Sequence, residues 1–469
     1  MDFWTYKMLH CCSFEVKDCI FQSLNYFSNK MKKNTIITLF LTLFVLVVKA
    51  QNPIVPAGMY IADPEAHVWK DGKLYLYGSR DESDDYWCSY SHHVLNTSDL
   101  KKWTVTENAF ASKGANDQVS YHDNLLFAPD CAYKDGTYYL YYCSPGKKLT
   151  EGVATSSSPF GPFENGKQIK GAYQIDPAVL IDDDGQGYYY WGQGKPKVAK
   201  LKPNLIEIDS TSIVEPLDAK GNVAFHEGSS IRKIGKLYYF VFADDSRNNK
   251  PTCLGYAIGK SPMGPFEYKG VLIDNVACDP ASWNNHGSIE KFKDQWYVFY
   301  HRSTHNSQKF RKACVEPIFI KKDGTIDEVE MSSQGASAPL DATAIIEAEW
   351  ACHLSGNVRV TGIAATDIKS EGLAAFKDGD FVGYKYLDFP KNCSEFELKA
   401  VVHSKITIEI RQGSEHGNLI GTCVLEPSKD YQIVKTSIRN VKKGKQALFL
   451  TFKNETNSSD NSLDWFRFN

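Results

Sequence analysis

The chain alternates apolar and polar positions in short runs, and one hairpin-like stretch occurs five times. The first copy, HVWKDGKLYLYGSRD, spans residues 67–81 and joins an apolar strand to an aromatic-rich strand across Asp71-Gly72. The equivalent turns of the later copies are centred on residues 136, 185, 235 and 294, so the copies lie 49 to 64 residues apart. Asp-Gly between alternating hydrophobic runs is a strong hairpin signal. Because propeller blades repeat every ~40–50 residues, each copy predicts one blade.

The repeat predicts an all-β fold, in which residues 51–335 form a five-bladed β-propeller. An outer-strand motif also recurs, as SSPFGPFE at 157–164 and KSPMGPFE at 260–267, and no long amphipathic helix pattern intervenes. A β-sandwich or a β-solenoid is the alternative. Residues 336–344 are small and polar and predict a linker, after which the alternating strands of residues 345–469 predict a jelly-roll-like β-sandwich.

The N-terminal 50 residues carry an export pattern rather than a domain. Residues 1–30 show no usable pattern and are interpreted as an extension upstream of a start at Met31. Residues 31–50 combine Lys32 and Lys33, an apolar run, and Val48 and Ala50 before the cleavage point, which predicts a signal peptide and a secreted or periplasmic protein. A retained anchor is the alternative, but the run is shorter than the ~20 residues of a membrane span.

Charge and cysteine usage exclude two classes of protein. The net charge is −3, and no Lys/Arg run occurs, so nucleic acid is not an expected partner. Nine of the twelve cysteines follow residue 50, and none forms a CxxC pair. An odd number without such pairs indicates neither a disulfide framework nor a zinc site, and buried apolar roles are expected.

Each hairpin is preceded by an ionisable residue. In a propeller the innermost strand of each blade lines the central channel, and its first residues face one mouth. Counting back six to nine residues from each turn gives one residue per copy: Asp63, Asp130, Asp176, Glu227 and His286. Acidic residues also cap strand ends. Carboxylates gathered at one mouth repel each other, however, and glycoside hydrolysis needs one protonated and one ionised carboxyl group.

The three stretches ADPEAHV, IDPAVLIDDDG and HEGSSI, in this order on a five-fold repeat, resemble glycoside hydrolase family 43 over roughly residues 51–335. The resemblance implies that Asp63 is the general base, that Glu227 is the general acid, and that Asp176 tunes and orients the acid. It also implies inversion of the anomeric configuration, with base and acid roughly 6.5–9.5 Å apart.

The same resemblance implies three substrate-binding residues. Asp130 in FAPDCAY matches a pocket segment, and a purely turn-forming role is the alternative. His286 matches a histidine near the channel axis that holds calcium or water in some members, with a structural role as the alternative. Arg302, just after the fifth hairpin, is expected to contact a sugar hydroxyl or Asp176.

The C-terminal part resembles carbohydrate-binding module family 6 in IIEAEW, FKDGDFVGYKYLDF and LDWFRFN. That resemblance implies a structural calcium ion held by Glu347, Glu349 and Asp464. Its candidates for sugar stacking are Trp350, Tyr384 and Trp465, and a core role is the alternative, favoured for Trp465.

These observations predict a monomeric glycosidase without an organic cofactor, acting on plant cell-wall glycans. Exo-α-L-arabinofuranosidase is the leading hypothesis, with β-xylosidase and galactofuranosidase or galactanase as family alternatives. Fructan-cleaving propellers carry Asn-Asp-Pro-Asn-Gly where this chain has IADPEAH, which argues against them. A propeller that binds glycans without cleaving them is the non-enzymatic alternative.

Overall fold

A computed structural model of the chain describes residues 43–46, 51–146, 150–218, 225–247, 249–363 and 370–469. Residues 1–30 and all but 43–46 of the predicted signal peptide lie outside the described residues. The part that is described is built from strands, with three single 3-10 turns at Gly114–Asn116, Ser210–Ser212 and Ala348–Trp350.

Five consecutive antiparallel sheets form the first part of the molecule. Their strands in chain order are β1 (Leu43–Leu46), β2 (Ile61–Val68), β3 (Leu74–Arg80), β4 (Ser91–Thr97), β5 (Trp103–Ala111); β6 (Phe127–Lys134), β7 (Thr137–Cys143), β8 (Glu151–Ser156), β9 (Glu164–Gln168); β10 (Ala178–Ile181), β11 (Gly187–Trp191), β12 (Lys197–Lys200); β13 (Phe225–Ile234), β14 (Leu237–Asp244), β15 (Cys253–Gly259), β16 (Glu267–Asp274); β17 (Ser288–Phe292), β18 (Gln295–Thr304) and β19 (Ser307–Ile318).

The innermost strands of these sheets close a ring. Each of β2, β6, β10, β13 and β17 contacts the next, and β17 returns to β2. Hydrophobic clusters fill the spaces between successive sheets, as where Tyr75 and Tyr77 pack with Leu140 and Tyr142. This arrangement is the predicted five-bladed propeller, with the innermost strands around a central channel.

The segment after the predicted cleavage point closes the last blade. The Ile54 N–H donates to the Ala313 carbonyl at 2.9 Å, and the Asn52 side chain bonds both ways with the backbone of Val315. Residues 52–54 thus run beside β19. These bonds join the first part of the propeller to its last blade. They also give hydrogen-bond partners to backbone groups at the edge of that blade, which would otherwise be unpaired.

A two-sheet sandwich follows. Its strands are β20 (Leu340–Asp341), β21 (Ile346–Glu347), β22 (His353–Leu354), β23 (Arg359–Gly362), β24 (Glu371–Ala374), β25 (Phe381–Phe389), β26 (Glu395–Val402), β27 (Ile406–Gln412), β28 (Asn418–Leu425), β29 (Gln432–Ser437), β30 (Gly444–Lys453) and β31 (Asn461–Phe468). The first sheet has the order β20-β25-β30-β27-β28, and the second β23-β24-β31-β26-β29.

Strict alternation of side chains builds the sandwich core. Along β27, Ile406, Ile408 and Ile410 are buried while the residues between them are partly exposed. The two inner faces merge into one apolar cluster. Strand β20 lies within residues 336–344, predicted to be a linker, and pairs in parallel with β25.

Candidate active site

Irregularities at the start of the innermost strands aim acidic side chains into the channel. The pairing of β2 with β3 shifts between Ala62 and Glu65, and the pairing of β13 with β14 shifts on both sides of Glu227. Asp63 and Asp176, each followed by proline, have φ of 52° and 61°. A bulge re-aims a side chain away from the regular ladder, and aspartate tolerates the left-handed region better than most residues.

One pocket at this mouth holds the predicted catalytic residues. It has a volume of about 240 Å³. The lining residues are Asp63, Trp87, Cys88, Phe127, Ile175, Asp176, Gln193, Glu227, Trp283, Asn284, His286 and Arg311. The ring centroids of Trp87 and Trp283 lie 5.9 Å apart, so aromatic surface for a sugar ring stands next to carboxylates.

Asp63 is buried but held ionised. Burial acts to raise its pKa, yet the Arg311 guanidinium, with Nη1 at 2.9 Å from Oδ1, outweighs burial and lowers the pKa to about 2. The Ser79 hydroxyl donates to Oδ2 at 2.5 Å. Burial lowers the pKa of both His286 and His301, so these rings are neutral at pH 7 and Arg311 is the cation that matters. Asp63 is therefore ionised at neutral pH and able to accept a proton.

Asp176 and Glu227 are the other two carboxyl groups of the pocket. Burial and the negative charges of Glu227, Asp63 and Glu151 raise the pKa of Asp176 well above its usual range. Asp176 accepts a hydrogen bond from the Gly228 N–H at 3.0 Å, which fixes the backbone next to Glu227. The Glu227 carboxylate accepts from Gln193 Nε2 at 2.8 Å. The pocket thus combines an ionised carboxylate, Asp63, with a carboxyl group, Asp176, that holds a proton more tightly than usual.

His286 lies beside these carboxylates, as its sequence position predicted. Its Nδ1 is 3.6 Å from Asp63 Oδ1 and 3.9 Å from Asp176 Oδ2. Gly228, with φ +75°, lies against the imidazole ring, and a Cβ there would come within 3.0 Å of it. Glycine is therefore needed directly after Glu227 for the histidine to fit.

Asp130 lies deeper in the channel than predicted, at the level of Glu65 rather than of Asp63. It pairs with Tyr141 on β7 as Glu65 pairs with Tyr77 on β3, so it matches Glu65 rather than Asp63. The spacing along the sequence already indicated this difference. Asp130 lies six residues before its turn, whereas the other four candidates lie eight or nine residues before theirs. Its Oδ1 lies 2.6 Å from His67 Nε2, and it does not line the pocket. The structure therefore does not support the predicted direct contact between Asp130 and the substrate.

This deeper layer resembles a metal site in composition. Within the ranges that the structure describes, Glu65, His67 and Asp130 are the one set of three such residues whose ligand atoms lie within 4.8 Å of one another. Arg232 Nη2 already donates to Glu65 Oε1 at 2.7 Å. Burial is the main cause that raises the pKa of Glu65 and of Asp130 to about 7. The guanidinium therefore balances the layer's charge without a metal ion.

Arg302 does not reach the pocket, and that prediction was wrong. Its guanidinium is buried and donates to the Tyr300 hydroxyl at 2.7 Å and to the Ser332 carbonyl at 2.7 Å. The arginine of the pocket is Arg311, on the neighbouring strand β19. The repeat could not reveal it, because counting from the turns finds residues on innermost strands only.

The predicted calcium ligands of the sandwich are not brought together as a group of three. Asp464 Oδ2 lies 2.6 Å from Lys399 Nζ, so a lysine already neutralises it. Glu349 fits a cation better, since its Oε2 is buried without a hydrogen-bond partner. Burial raises the pKa of Glu349 to about 8, and Glu347 adds repulsion. Of the three predicted ligands, Glu349 thus offers a buried oxygen without a hydrogen-bond partner, whereas Asp464 is paired with Lys399.

The aromatic candidates of the sandwich divide in a similar way. Tyr384 is fully buried, and its hydroxyl donates to the Ala348 carbonyl at 2.9 Å, so it is a core residue and not a sugar platform. Trp350 packs against the apolar core from a partly buried position. Trp465 is partly exposed beside Arg467, whose guanidinium lies 5.9 Å from the ring centroid.

Cysteines play no disulfide role in the described part of the chain. All nine cysteines after residue 50 are free and buried, as expected from their odd number and spacing. Cys88 and Cys143 lie near the pocket, and burial raises the pKa of both thiols well above the ordinary range. Neither thiol is therefore a nucleophile at neutral pH.

Comparison with known proteins agrees with this geometry. The family described as glycosyl hydrolases family 43 matches residues 50–326, and the carbohydrate binding module of family 6 matches residues 347–469. A xylosidase/arabinosidase of Thermoclostridium stercorarium is 29% identical, covering 87% of this chain and 97% of that relative. Xylosidase/arabinosidase 43A of Humicola insolens is 32% identical, covering 57% and 96%.

Two solved structures share the fold. A β-xylosidase/α-arabinofuranosidase from a compost metagenome, in complex with xylotriose, has a TM-score of 0.52 and 29% identity over 61% of this chain and 99% of its own. An arabinoxylan arabinofuranohydrolase of Bacillus subtilis has a TM-score of 0.53 and 22% identity over 90% and 97%. The protein belongs to glycosyl hydrolase family 43 and is a glycosidase that carries a C-terminal family 6 carbohydrate-binding module.

Proposed function

We propose that this glycosidase removes single α-L-arabinofuranosyl or β-D-xylosyl residues from plant cell-wall glycans, with inversion at the anomeric carbon. The observation that carries the proposal is the pocket itself, in which ionised Asp63 and the carboxyl groups of Asp176 and Glu227 stand beside two tryptophan rings. Relatives named as both xylosidase and arabinosidase support this pair of sugars. A relative named β-D-galactofuranosidase makes that sugar the third candidate.

The residues divide the chemistry between them. Asp63, kept ionised by Arg311, takes a proton from water as the water attacks the anomeric carbon. Glu227 donates its proton to the leaving oxygen, and Asp176, hydrogen-bonded to Gly228, orients Glu227 and shares its proton. His286 packs beside Asp63 and Asp176 and fixes their side-chain positions. No covalent sugar-enzyme intermediate is needed, since attack and departure occur on opposite faces of the ring.

The test is a panel of aryl glycosides: α-L-arabinofuranoside, β-D-xyloside and β-D-galactofuranoside. We expect release from the first, the second or both, and proton NMR during the first turnovers should show the inverted anomer of the product. Release with retained configuration would overturn the mechanism. Release from none of them would favour a propeller that binds glycans without cleaving them.

The C-terminal module gives a second proposal. We propose that it binds glycan and that Glu347 and Glu349 hold a structural calcium ion there, with oxygen ligands as that ion prefers. The unpartnered, buried Glu349 oxygen supports the ion. The thermal midpoint of the protein should rise with added calcium and fall with a chelator, and Glu349→Gln should abolish that response.

We further propose that the chain is exported and acts as a monomer. The sequence pattern of residues 31–50, with Lys32 and Lys33 before an apolar run, supports export. As a separate finding, no helix among the described residues is long and apolar enough to span a membrane. N-terminal sequencing of the protein recovered outside the cytoplasm should begin near Gln51. Sedimentation should give a single species of one chain.

A further inference from the structure

Consecutive residues of β19 connect the active site to the sandwich. Arg311 points into the channel, where it pairs with Asp63 and with Asp81 at 2.8 Å. Lys312 points the other way and pairs with Glu371, the first residue of β24 in the sandwich. Neighbouring side chains on a strand face opposite sides, so one strand holds both ion pairs.

Glu371 accepts several donors from the propeller. Besides Lys312 Nζ, the Tyr60 hydroxyl donates to its Oε1 at 2.8 Å and the Gly58 N–H at 3.3 Å. The Lys312 and Glu371 side chains are 2% and 0% exposed, which excludes a loose surface contact. Burial acts to raise the pKa of Glu371, but Lys312 and Tyr60 outweigh it and the pKa is lowered, so the carboxylate is charged.

The donors belong to the two segments that carry the catalytic groups. Tyr60 directly precedes β2, three residues before Asp63. Lys312 follows Arg311, and its ammonium also donates to the Pro56 carbonyl at 3.1 Å. The Glu371 carboxylate of the sandwich therefore binds both the segment that leads into Asp63 and the strand β19 that carries Arg311.

A second contact with the sandwich is made by the turn between β18 and β19. The His305 N–H, between β18 and β19, donates to the Val360 carbonyl of the sandwich at 2.7 Å. Beyond that tip, Lys309 Nζ donates to the Asp84 carbonyl at 2.7 Å, and Ser307 bonds the Asp84 side chain. Asp84 lies in the loop that brings Trp87 to the pocket. The contact with the sandwich thus extends to a pocket wall.

We propose that Glu371 is a positioning residue for the glycosidase site, so that the sandwich is a part of the active-site scaffold and not only an appended binding module. The inference rests on the proposed roles of Asp63 and Arg311. Removal of the Glu371 charge leaves Lys312 buried and unpaired. Because Lys312 and Arg311 are adjacent, relief of that strain displaces the guanidinium from Asp63, and small misplacements of catalytic groups are costly.

The experiment compares Glu371→Gln with Glu330→Gln. Glu330 also bonds the sandwich, through Lys385 at 2.7 Å, but it is half-exposed and lies on neither β2 nor β19. We expect E371Q to lower kcat/KM on the best aryl glycoside about tenfold or more. The acid limb of its pH profile should move upward as Asp63 loses its cation. E330Q should match the wild type in both readouts.

Each outcome has a distinct meaning. An inactive wild type would refute the proposed function, whereas an active wild type with an unchanged folded E371Q would overturn this inference alone. A lower melting temperature with an unchanged pH profile would assign Glu371 a merely structural role and also overturn it. Should E371Q fail to fold, Glu371→Asp decides, since it keeps the charge but shortens the side chain and so draws the carboxylate away from Lys312. An upward shift of its acid limb supports the proposal, and a wild-type profile overturns it.

Discussion

At the scale of single residues, the site depends on similar side chains that lie in opposite electrostatic surroundings. Asp63 and Asp176 share the Asp-Pro sequence, the positive φ and deep burial. They differ in their neighbours, because Asp63 faces the Arg311 guanidinium while Asp176 faces the carboxyl groups of Glu227 and Glu151. Two aspartates in the same Asp-Pro context therefore differ in how tightly they hold a proton, with Asp63 kept ionised and the pKa of Asp176 raised.

The first residue-scale prediction concerns Arg311. In Arg311→Gln, burial acts on Asp63 without an opposing cation, so its pKa should rise by about one unit or more. Asp63 cannot accept a proton once it is protonated, so kcat/KM falls as the pH drops through this pKa. The acid limb of the kcat/KM profile, which reports the free enzyme, should shift upward accordingly.

The matched control is Arg302→Gln, which alters an equally buried arginine outside the pocket. It should lower the melting temperature, because Tyr300 and Ser332 lose a charged donor, and it should leave the acid limb in place. An unshifted acid limb in R311Q, or an equal shift in R302Q, would contradict the role given to Arg311.

A second prediction separates the two catalytic carboxyl groups. A general acid matters little for a leaving group that departs readily, whereas the base is needed for every substrate. Glu227→Gln should therefore lose about 10²–10⁴-fold on a natural oligosaccharide and much less on a dinitrophenyl glycoside. Asp63→Asn should lose that much on both substrates. Equal losses for E227Q on the two substrates would argue against Glu227 as the acid.

Sequence reasoning identified these residues unevenly. Asp63, Asp176, Glu227 and His286 were found because they precede a repeated turn by a nearly constant number of residues. Arg311 was missed, since nothing in its local sequence marks a long-range pair with Asp63, 248 positions away. Arg302 was chosen because it follows the fifth hairpin, but its side chain turns toward Tyr300 instead.

At the scale of strands and turns, the hairpins were predictable because their chemistry is local. Asp135 and Gly136 both have positive φ, at 50° and 87°, as the two-residue turn between β6 and β7 requires. In the fifth hairpin Lys293 takes φ 56° without a glycine beside it. The bulges that aim the carboxylates could not be predicted, because they depend on pairing between strands rather than on a residue type.

The prediction at this scale concerns Gly228. Gly228→Ala meets both a positive φ and the His286 ring, whereas Gly235→Ala, in the turn at the end of the same strand, has φ +62° and open space. Both should lose about 1 kcal/mol of stability for the backbone conformation. Only G228A should also lose activity, since His286 and Glu227 must shift. Thermal unfolding and kcat/KM measure the two effects, and equal activities would contradict the close packing.

At the scale of the whole molecule, the sequence predicted two folds but not how they pack. The repeat period predicted the propeller, and alternating strands predicted the sandwich. Their contact, through Glu371, His305 and Lys385, joins residues that no local pattern connects. Such contacts depend on which buried charges meet after both units have formed, and composition carries no signal of that.

The shape of the pocket leads to the last prediction, which concerns the product. The pocket volume of about 240 Å³ is below the range of ~300–1,000 Å³ that holds ligands of drug size. A pocket of this size, with Trp87 and Trp283 in its wall, accommodates one sugar residue rather than a run of several. Digestion of arabinoxylan should therefore release a monosaccharide from the first minutes, and anion-exchange chromatography should detect no new oligosaccharide. Free arabinose would identify removal of side chains, and free xylose would identify trimming from chain ends. Early release of oligosaccharides would mean that the glycan crosses the pocket as an open cleft, and the exo-acting assignment would have to be abandoned.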